Sequence, residues 1–413
     1  MNYGLIGYPL SHSWSGEIHA FLTGIDYQLC ELLPEELDNF FAEKDFKGIN
    51  VTIPYKETVI PYLDELDESA KAVGAVNCIT NRNGKLKGYN TDYSGFIYLI
   101  NNNGINVSGR KVAILGSGGG SKAVKAALLS LNAEQIRVSR TGKDECITYE
   151  ELYHRHSEFS VIVNTTPVGL YPNTEEVPVD LYRFENIEAV IDIIANPLRS
   201  RLVLDARNRG IKYASGLEML VAQAFAADQL FLDRKLDPEI IEKCIRHLMF
   251  EKRNIVLIGM PSAGKTTVGR MTAKAAEKTF VDLDEEIEKE IGMPINSYFA
   301  LYGEEEFRRL ESEMVKRYQN QFDLILAPGG GIIKNAENMY RLAHNGIIIR
   351  IDRRLELLQA TSTRPLSSSV EALKQLYEER TPLYEYYSDR TCSNNGDISE
   401  TVAEIIKIMK GER

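Results

Sequence analysis

Apolar residues along this chain gather in short runs that end in glycine or proline, and longer stretches with helical spacing separate them. Brief buried strands alternating with helices predict an α/β chain built on parallel sheets. Residues 3–9 and 47–56 read as strands, the second stopped by Pro54. Residues 111–116, a glycine loop over 116–121, a helical run over 122–131 and a strand over 135–140 make one βαβ unit. Two further strands, 159–167 and 189–197, each close on a proline. Residues 216–232, rich in Ala and Leu, and 238–252 read as helices. At 253–261 the pattern restarts with a new apolar strand and a new loop.

The 413 residues suffice for two or three domains. The restart divides them into 1–100 completed by helices at about 216–250, 101–215, and 252–413. Hydrophobic residues at 44% and charged residues at 26% are ordinary for globular chains. A net charge of −11 disfavours nucleic acid and anionic membranes as partners, although a few convergent arginines can still grip a small anion. The five cysteines are scattered and form no CxxC pair, which points to free thiols rather than a zinc site. No run approaches the roughly 18 apolar residues of a membrane span. The expectation is a soluble cytoplasmic protein acting on small molecules, with oligomeric state left open.

Gly259-Met-Pro-Ser-Ala-Gly264-Lys265-Thr266 has the spacing GxxxxGK[ST], and it sits between an apolar strand and a helical run, the context such a loop needs. Its glycines let backbone N–H groups wrap a phosphate at a helix N-terminus, with Thr267 at the helix start. Lys265 would reach the outer phosphates, and Thr266 would ligate Mg²⁺. Asp282 and Asp284 are two residues apart at a strand end, so period-two alternation would put both carboxylates on one side; an acidic helix start is the competing account. Arg308 and Glu311 at i,i+3 fit a helix ion pair, and the glycines at 329–331 bring backbone close to something.

These segments resemble shikimate kinase over about residues 252–413: the phosphate loop, D-x-D at 282–284, F-R-x-x-E at 307–311, GGG at 329–331, R-P-L at 364–366 and E-R-x-P-L-Y at 379–384. The resemblance implies that Asp284 holds the shikimate hydroxyls and helps deprotonate the attacking one. Arg308 and Arg380 would grip the carboxylate, and Gly330 and Gly331 would close over the ring. Asp282 would support Mg²⁺ mostly through water, and Arg364 would sit on a lid over ATP. The segment before Arg364 is shorter than the family's usual one.

In the first half, Gly116, Gly118 and Gly119 lie in a strand–turn–helix setting that suits a dinucleotide. The next strand ends in Ser139-Arg140-Thr141, with no acid for a ribose 2′-hydroxyl. An arginine with hydroxyls suits a 2′-phosphate, so NADP is expected. The clusters S-x-S (13–15), N-V-T-x-P-x-K (50–56), G-A-V-N (74–77), N-T-D (90–92), G-x-G-G (116–119) and G-L-x-M-L-V-x-Q-A (216–224) together resemble shikimate dehydrogenase over about residues 1–250. This implies that Ser13 and Ser15 bind the substrate carboxylate. Thr52, Asn77, Asp92 and Gln223 would hold ring hydroxyls, and Lys56 beside Asp92 would donate the proton. Gly216 would join the cofactor contacts. Gly16 and Ala195 stand where the family usually has proline and tyrosine.

The implied fold class is α/β throughout: an N-terminal substrate domain, a Rossmann-type NADP domain, and a P-loop domain like those of nucleoside-monophosphate kinases. The implied activity is bifunctional: NADPH-dependent formation of shikimate, then its phosphorylation by ATP with Mg²⁺. The alternatives are an NAD-dependent quinate or shikimate dehydrogenase, or a non-catalytic shikimate-binding module, ahead of the kinase.

Overall fold

The structure, a computed structural model, describes residues 1–10, 13–358 and 370–411. It divides into Met1–Ile245 and Arg246–Arg413, a division that falls inside the helix Glu239–Lys252.

The first unit holds two sheets. One contains β1 (Tyr3–Gly7), β2 (Tyr27–Glu31), β3 (Gly48–Val51), β4 (Glu65–Leu66), β5 (Cys78–Arg82) and β6 (Lys85–Tyr89), in the order β2-β1-β3-β5-β6-β4. β1 runs parallel to β2 and β3, while β5 is antiparallel to both β3 and β6. The β5–β6 turn is Asn83-Gly84, both at positive φ, as a tight hairpin requires. Ile49, Val51, Ile79 and Leu86 of this sheet meet Leu37, Phe41, Tyr55 and Val59 in one core. The distant helix Leu217–Leu232 completes this lobe. Its Phe231 lies so close to Gly48 that a Cβ there would be 2.3 Å from the ring, so only glycine fits.

The second sheet is parallel throughout: β7 (Lys111–Leu115), β8 (Glu134–Val138), β9 (Cys146–Ile147), β10 (Val161–Asn164), β11 (Ala189–Asp192) and β12 (Lys212–Ser215), ordered β12-β11-β10-β7-β8-β9. Its strands alternate their side chains between two cores. Val112, Ile114 and Val163 pack with Phe96, Leu99, Val124 and Leu128, whereas Ala113, Leu115 and Ile162 pack with Leu152, Phe159, Phe184 and Leu202. Apolar runs without polar alternation are what a sheet covered on both faces demands. The helix after the glycine loop begins at Gly119, inside the glycine run, rather than at Lys122.

The second unit carries one parallel sheet, β14-β15-β13-β16-β17, from β13 (Asn254–Ile258), β14 (Thr279–Asp282), β15 (Leu324–Ala327), β16 (Gly346–Asp352) and β17 (Arg390–Ser393). The phosphate loop leaves the central strand β13, so it opens where the chain turns outward to either flank. One expectation is corrected here. Asp284 does not continue a strand: β14 ends at Asp282, whose carboxylate caps the helix Leu283–Ile291 by accepting from the Asp284 and Glu285 N–H groups at 3.1 and 3.4 Å. The two aspartates share a cavity because the chain turns at once into a helix, not through period-two alternation.

Candidate active sites

A cleft of about 570 Å³ in the first unit is lined by Ser13, Ser15, Thr52, Lys56, Asn77, Asp92 and Gln223, with Gly120, Ile193 and Ala195 from beside the second sheet. Asp92 opens the helix Asp92–Asn102, and Lys56 lies in the turns after β3. Lys56 Nζ donates to Asp92 Oδ2 at 2.6 Å, with the two side chains only 19% and 11% exposed. Asn77 Nδ2 donates to Asp92 Oδ1 at 2.9 Å and to Thr91 Oγ1 at 3.0 Å, with Gln223 Oε1 at 3.4 Å. Its Oδ1 accepts from the Thr91 N–H at 2.7 Å, which fixes the amide's orientation. Ser13 Oγ donates to Ser15 Oγ at 3.0 Å, so the two hydroxyls stand side by side. Ser11 and His12 lie outside the described residues.

The glycine loop borders this cleft. A Cβ on Gly119 would meet Lys56 Cδ at 3.4 Å, which puts the helix start beside the lysine. Gly116 has φ +111°, and a Cβ there would lie 2.8 Å from Thr165 Oγ1, so this position needs glycine. Around Gly118 a Cβ would meet nothing within 4 Å, leaving room for a ligand at the helix N-terminus. Past the end of the adjoining β8, Arg140 and Thr141 are exposed, and Ser139 Oγ accepts from the Gly142 N–H at 3.1 Å. A 2′-phosphate fits this cationic, hydroxyl-bearing corner. Gly216 abuts Ile193, whose carbonyl oxygen would be 2.1 Å from a Cβ, and caps the helix that carries Gln223.

The second unit has a cavity of about 750 Å³. Gly264 and Lys265 line one part of it together with Thr266 and Thr267, and Asp282, Asp284, Arg308, Gly330, Gly331 and Arg380 line the rest. Gly259 and Gly264 have φ of +148° and +97°, which the loop's reversal requires. Lys265 is 9% exposed, and its ammonium donates to the Gly259 and Met260 carbonyls at 3.0 and 3.1 Å. Thr266 Oγ1 donates to Asp282 Oδ2 at 2.8 Å. That hydroxyl–carboxylate pair suits a hard divalent cation that keeps most of its waters. Among the described residues no group of three His, Cys, Asp or Glu side chains is placed to hold a metal ion.

Arg308 donates from Nη1 to both oxygens of Glu311 at 3.0 Å and from Nη2 to Glu304 at 3.0 Å. Burial pushes the Glu311 carboxyl up to about 7, outweighing the downward pull of Arg308. Arg380 is 2% exposed and donates from Nη1 to the Gly330 carbonyl at 2.9 Å. Its Nε and Nη2 are buried without a hydrogen-bond partner among the described residues. A buried guanidinium edge left open in this way suits a carboxylate. A Cβ on Gly331 would lie 2.3 Å from Arg308 Nη2, and one on Gly329 would lie 2.6 Å from Asp284 Oδ1. The glycines thus let the backbone close onto the Arg308 and Asp284 side chains. Arg364 lies outside the described residues.

Several contributors were given no role by the sequence, although Asn50 and Tyr384 fall inside the motifs at 50–56 and 379–384. Asn50 holds the Asn77 carbonyl at 3.1 Å and is itself held by Tyr27 OH at 2.8 Å. Tyr384 OH braces the Gly330 carbonyl at 2.6 Å. Asp192 is fully buried, with its carboxyl raised to about 6 by desolvation, and accepts from Ser200 Oγ, Asn164 Nδ2 and the Ile194 N–H. It fixes the strand end next to Ala195, which lines the first cleft.

Comparison with known proteins resolves the assignment. A family model described as the shikimate dehydrogenase substrate-binding domain matches residues 5–79, and the shikimate kinase model matches residues 261–410. The shikimate dehydrogenase (NADP(+)) of Clostridium beijerinckii is 39% identical over 258 residues, covering 58% of this chain and 95% of its own length. The chain belongs to the shikimate dehydrogenase family. It carries a shikimate kinase domain behind that homology. A second shikimate dehydrogenase (NADP(+)), from Geobacillus kaustophilus, is 38% identical over 248 residues, covering 54% of this chain and 90% of its own. Among solved structures, a chorismate mutase/shikimate 5-dehydrogenase fusion from Clostridium acetobutylicum matches with TM-score 0.56 and 35% identity, over 60% of this chain and 96% of its own. The Thermus thermophilus shikimate 5-dehydrogenase, solved with NADP(H) and shikimate, matches with TM-score 0.55 and 29% identity over 60% and 99%. NADP as cofactor and ATP as phosphoryl donor accord with these relatives and with the kinase domain, and NAD-dependent or non-catalytic readings of the first half are not favoured. No helix among the described residues is long and apolar enough to cross a membrane.

Proposed function

We propose that the two clefts act in succession on one small acid: the first reduces 3-dehydroshikimate with NADPH, and the second phosphorylates the shikimate that results. The observation that carries this reading is that each unit has its own cavity beside its own glycine loop, one lined by Ser13, Ser15, Lys56, Asn77, Asp92 and Gln223, the other by Lys265, Asp284, Arg308 and Arg380.

In the first cleft, bound NADPH supplies the hydride. Ser13 and Ser15 hold the substrate carboxylate, and Thr52, Asn77 and Gln223 orient the ring hydroxyls. Lys56 gives a proton to the ketone oxygen as negative charge develops there, and Asp92 holds the ammonium in place. In the second, Arg308 and Arg380 fix the shikimate carboxylate, and Asp284 orients the attacking hydroxyl and draws off its proton. Lys265 exchanges its loop carbonyls for phosphate oxygens, and Thr266 with Asp282 supports Mg²⁺. Phosphoryl transfer asks mainly for such positioning and charge neutralisation.

The test is a coupled assay on the intact chain with 3-dehydroshikimate, NADPH, ATP and Mg²⁺. NADPH consumption followed by ADP and shikimate 3-phosphate formation is expected. Shikimate binding without NADPH oxidation would reduce the first unit to a binding module. NADPH oxidation without ADP would remove the kinase.

A further inference from the structure

The acid-recognition side chains of the kinase cavity sit on one flank of the phosphate loop. Asp282 and Asp284 follow β14, and Gly329–Gly331 follow β15. The opposite flank follows β16 and β17, and Arg353 stands there, one residue past the end of β16. Strand register brings it close: Ile258 pairs with Arg350, and a Cβ on Gly259 would lie 2.6 Å from the Ile351 carbonyl oxygen. Arg353 lines the same cavity, and its Nη1 is 3.8 Å from where a Cβ on Gly264 would stand. Its Nε is buried without a hydrogen-bond partner, and it makes no ion pair among the described residues. Its sequence neighbours differ: Arg350 is paired with Glu385 and Asp352, and Arg354 is exposed.

An arginine left unpaired beside a phosphate-binding loop lacks the anion that would offset its desolvation. The shikimate carboxylate is not that anion, because the guanidinium groups assigned to it, of Arg308 and Arg380, converge on Gly330 and Gly331 after β15. We infer that Arg353 binds the phosphate chain of the nucleotide, donating to an oxygen that the Gly264–Thr266 backbone also holds. A second residue on this flank keeps the loop in place for it. Asn394, just past β17, donates from Nδ2 to the Ala263 carbonyl at 2.7 Å and lies 2.4 Å from a Cβ on Gly264. Arg353 is therefore a nucleotide-binding residue outside the GxxxxGK[ST] motif.

The inference rests on the kinase reading, and its test separates the two. Titrate ADP with Mg²⁺ into the intact chain by calorimetry, with saturating NADP⁺ present to fill the first unit. Compare Arg353→Met with the parent, and repeat with adenosine. Loss of one charge-assisted hydrogen bond should raise the ADP Kd by about 10-fold to 100-fold, leaving adenosine affinity and the kinase KM for shikimate within about twofold. ADP affinity unchanged within twofold overturns the inference. So does an equal loss for adenosine, which would place the guanidinium on the base or sugar. Arg353→Gln, which keeps polarity without charge, decides by the same criteria if the methionine variant does not fold. A parent that binds no ADP would instead sink the kinase reading itself.

Discussion

Lys56 Nζ and Asp92 Oδ2 are 2.6 Å apart, and the other oxygen of the same carboxylate accepts from Asn77. The ammonium is thereby aimed by a carboxylate that cannot swing away. If Lys56 is the proton donor, Lys56→Met should lower dehydrogenase kcat by roughly 10²–10⁴-fold and leave kinase turnover near the parent value. Both activities are measured on the same preparation; parallel loss of both would indicate damage beyond the lysine.

Arg140 is exposed just past the end of β8, where the cofactor's ribose is expected. Arg140→Asp should repel a 2′-phosphate and accept from a free 2′-hydroxyl. The ratio of kcat/KM for NADP⁺ over NAD⁺ should fall by at least about tenfold. An unchanged ratio would remove Arg140 from the cofactor site.

Gly331→Ala places a methyl where Arg308 Nη2 now lies, 2.3 Å from the new carbon. The side chain's end must move and loses its aim at the carboxylate. The kinase KM for shikimate should rise by about tenfold or more, while KM for ATP stays close to the parent's. Steady-state kinetics with each substrate varied in turn distinguishes this from a general collapse of the cavity.

The Glu311 carboxyl is held up to about 7 from an ordinary 4.5 because burial outweighs Arg308. The native state therefore binds this proton more tightly than the unfolded chain does. The resulting stability is fully present below pH 4.5 and is lost as pH rises through about 7. Glu311→Gln keeps a neutral group at every pH. Calorimetric scans across that window should show the kinase unit's Tm falling less steeply with pH in the variant; equal slopes would contradict the assignment.

The strands, the phosphate loop and the glycine loop were legible because each is written locally: an apolar run, then glycines, then helical spacing. Lys56, Asp92, Asp284 and Arg308 were legible only as members of motifs, since a lone lysine or arginine looks like surface. Period-two reasoning about Asp282 and Asp284 failed because the strand ends on the first of them and the cap starts a helix. Arg353 was hidden for another reason, and so were the partners of Asn50 and Tyr384, although both residues fall inside quoted motifs. Tyr384 reaches a carbonyl 54 residues away, Asn50 meets Tyr27 across the intervening β1, and Arg353 comes beside the phosphate loop because β16 pairs with β13; no local pattern records which strands will be neighbours.

Asn77 has one further consequence. Its amide is committed on both sides, to Asp92 and Thr91 through nitrogen and to the Thr91 N–H through oxygen. It thus cannot flip to suit a different ring substituent without breaking contacts at two other residues. The cleft's preference is held jointly, so single replacements at 77, 91 or 92 should lose function without gaining a new one. A shift to another cyclic acid would have to arrive as a coordinated set of changes, which makes this selectivity slow to drift even where each residue alone could be replaced.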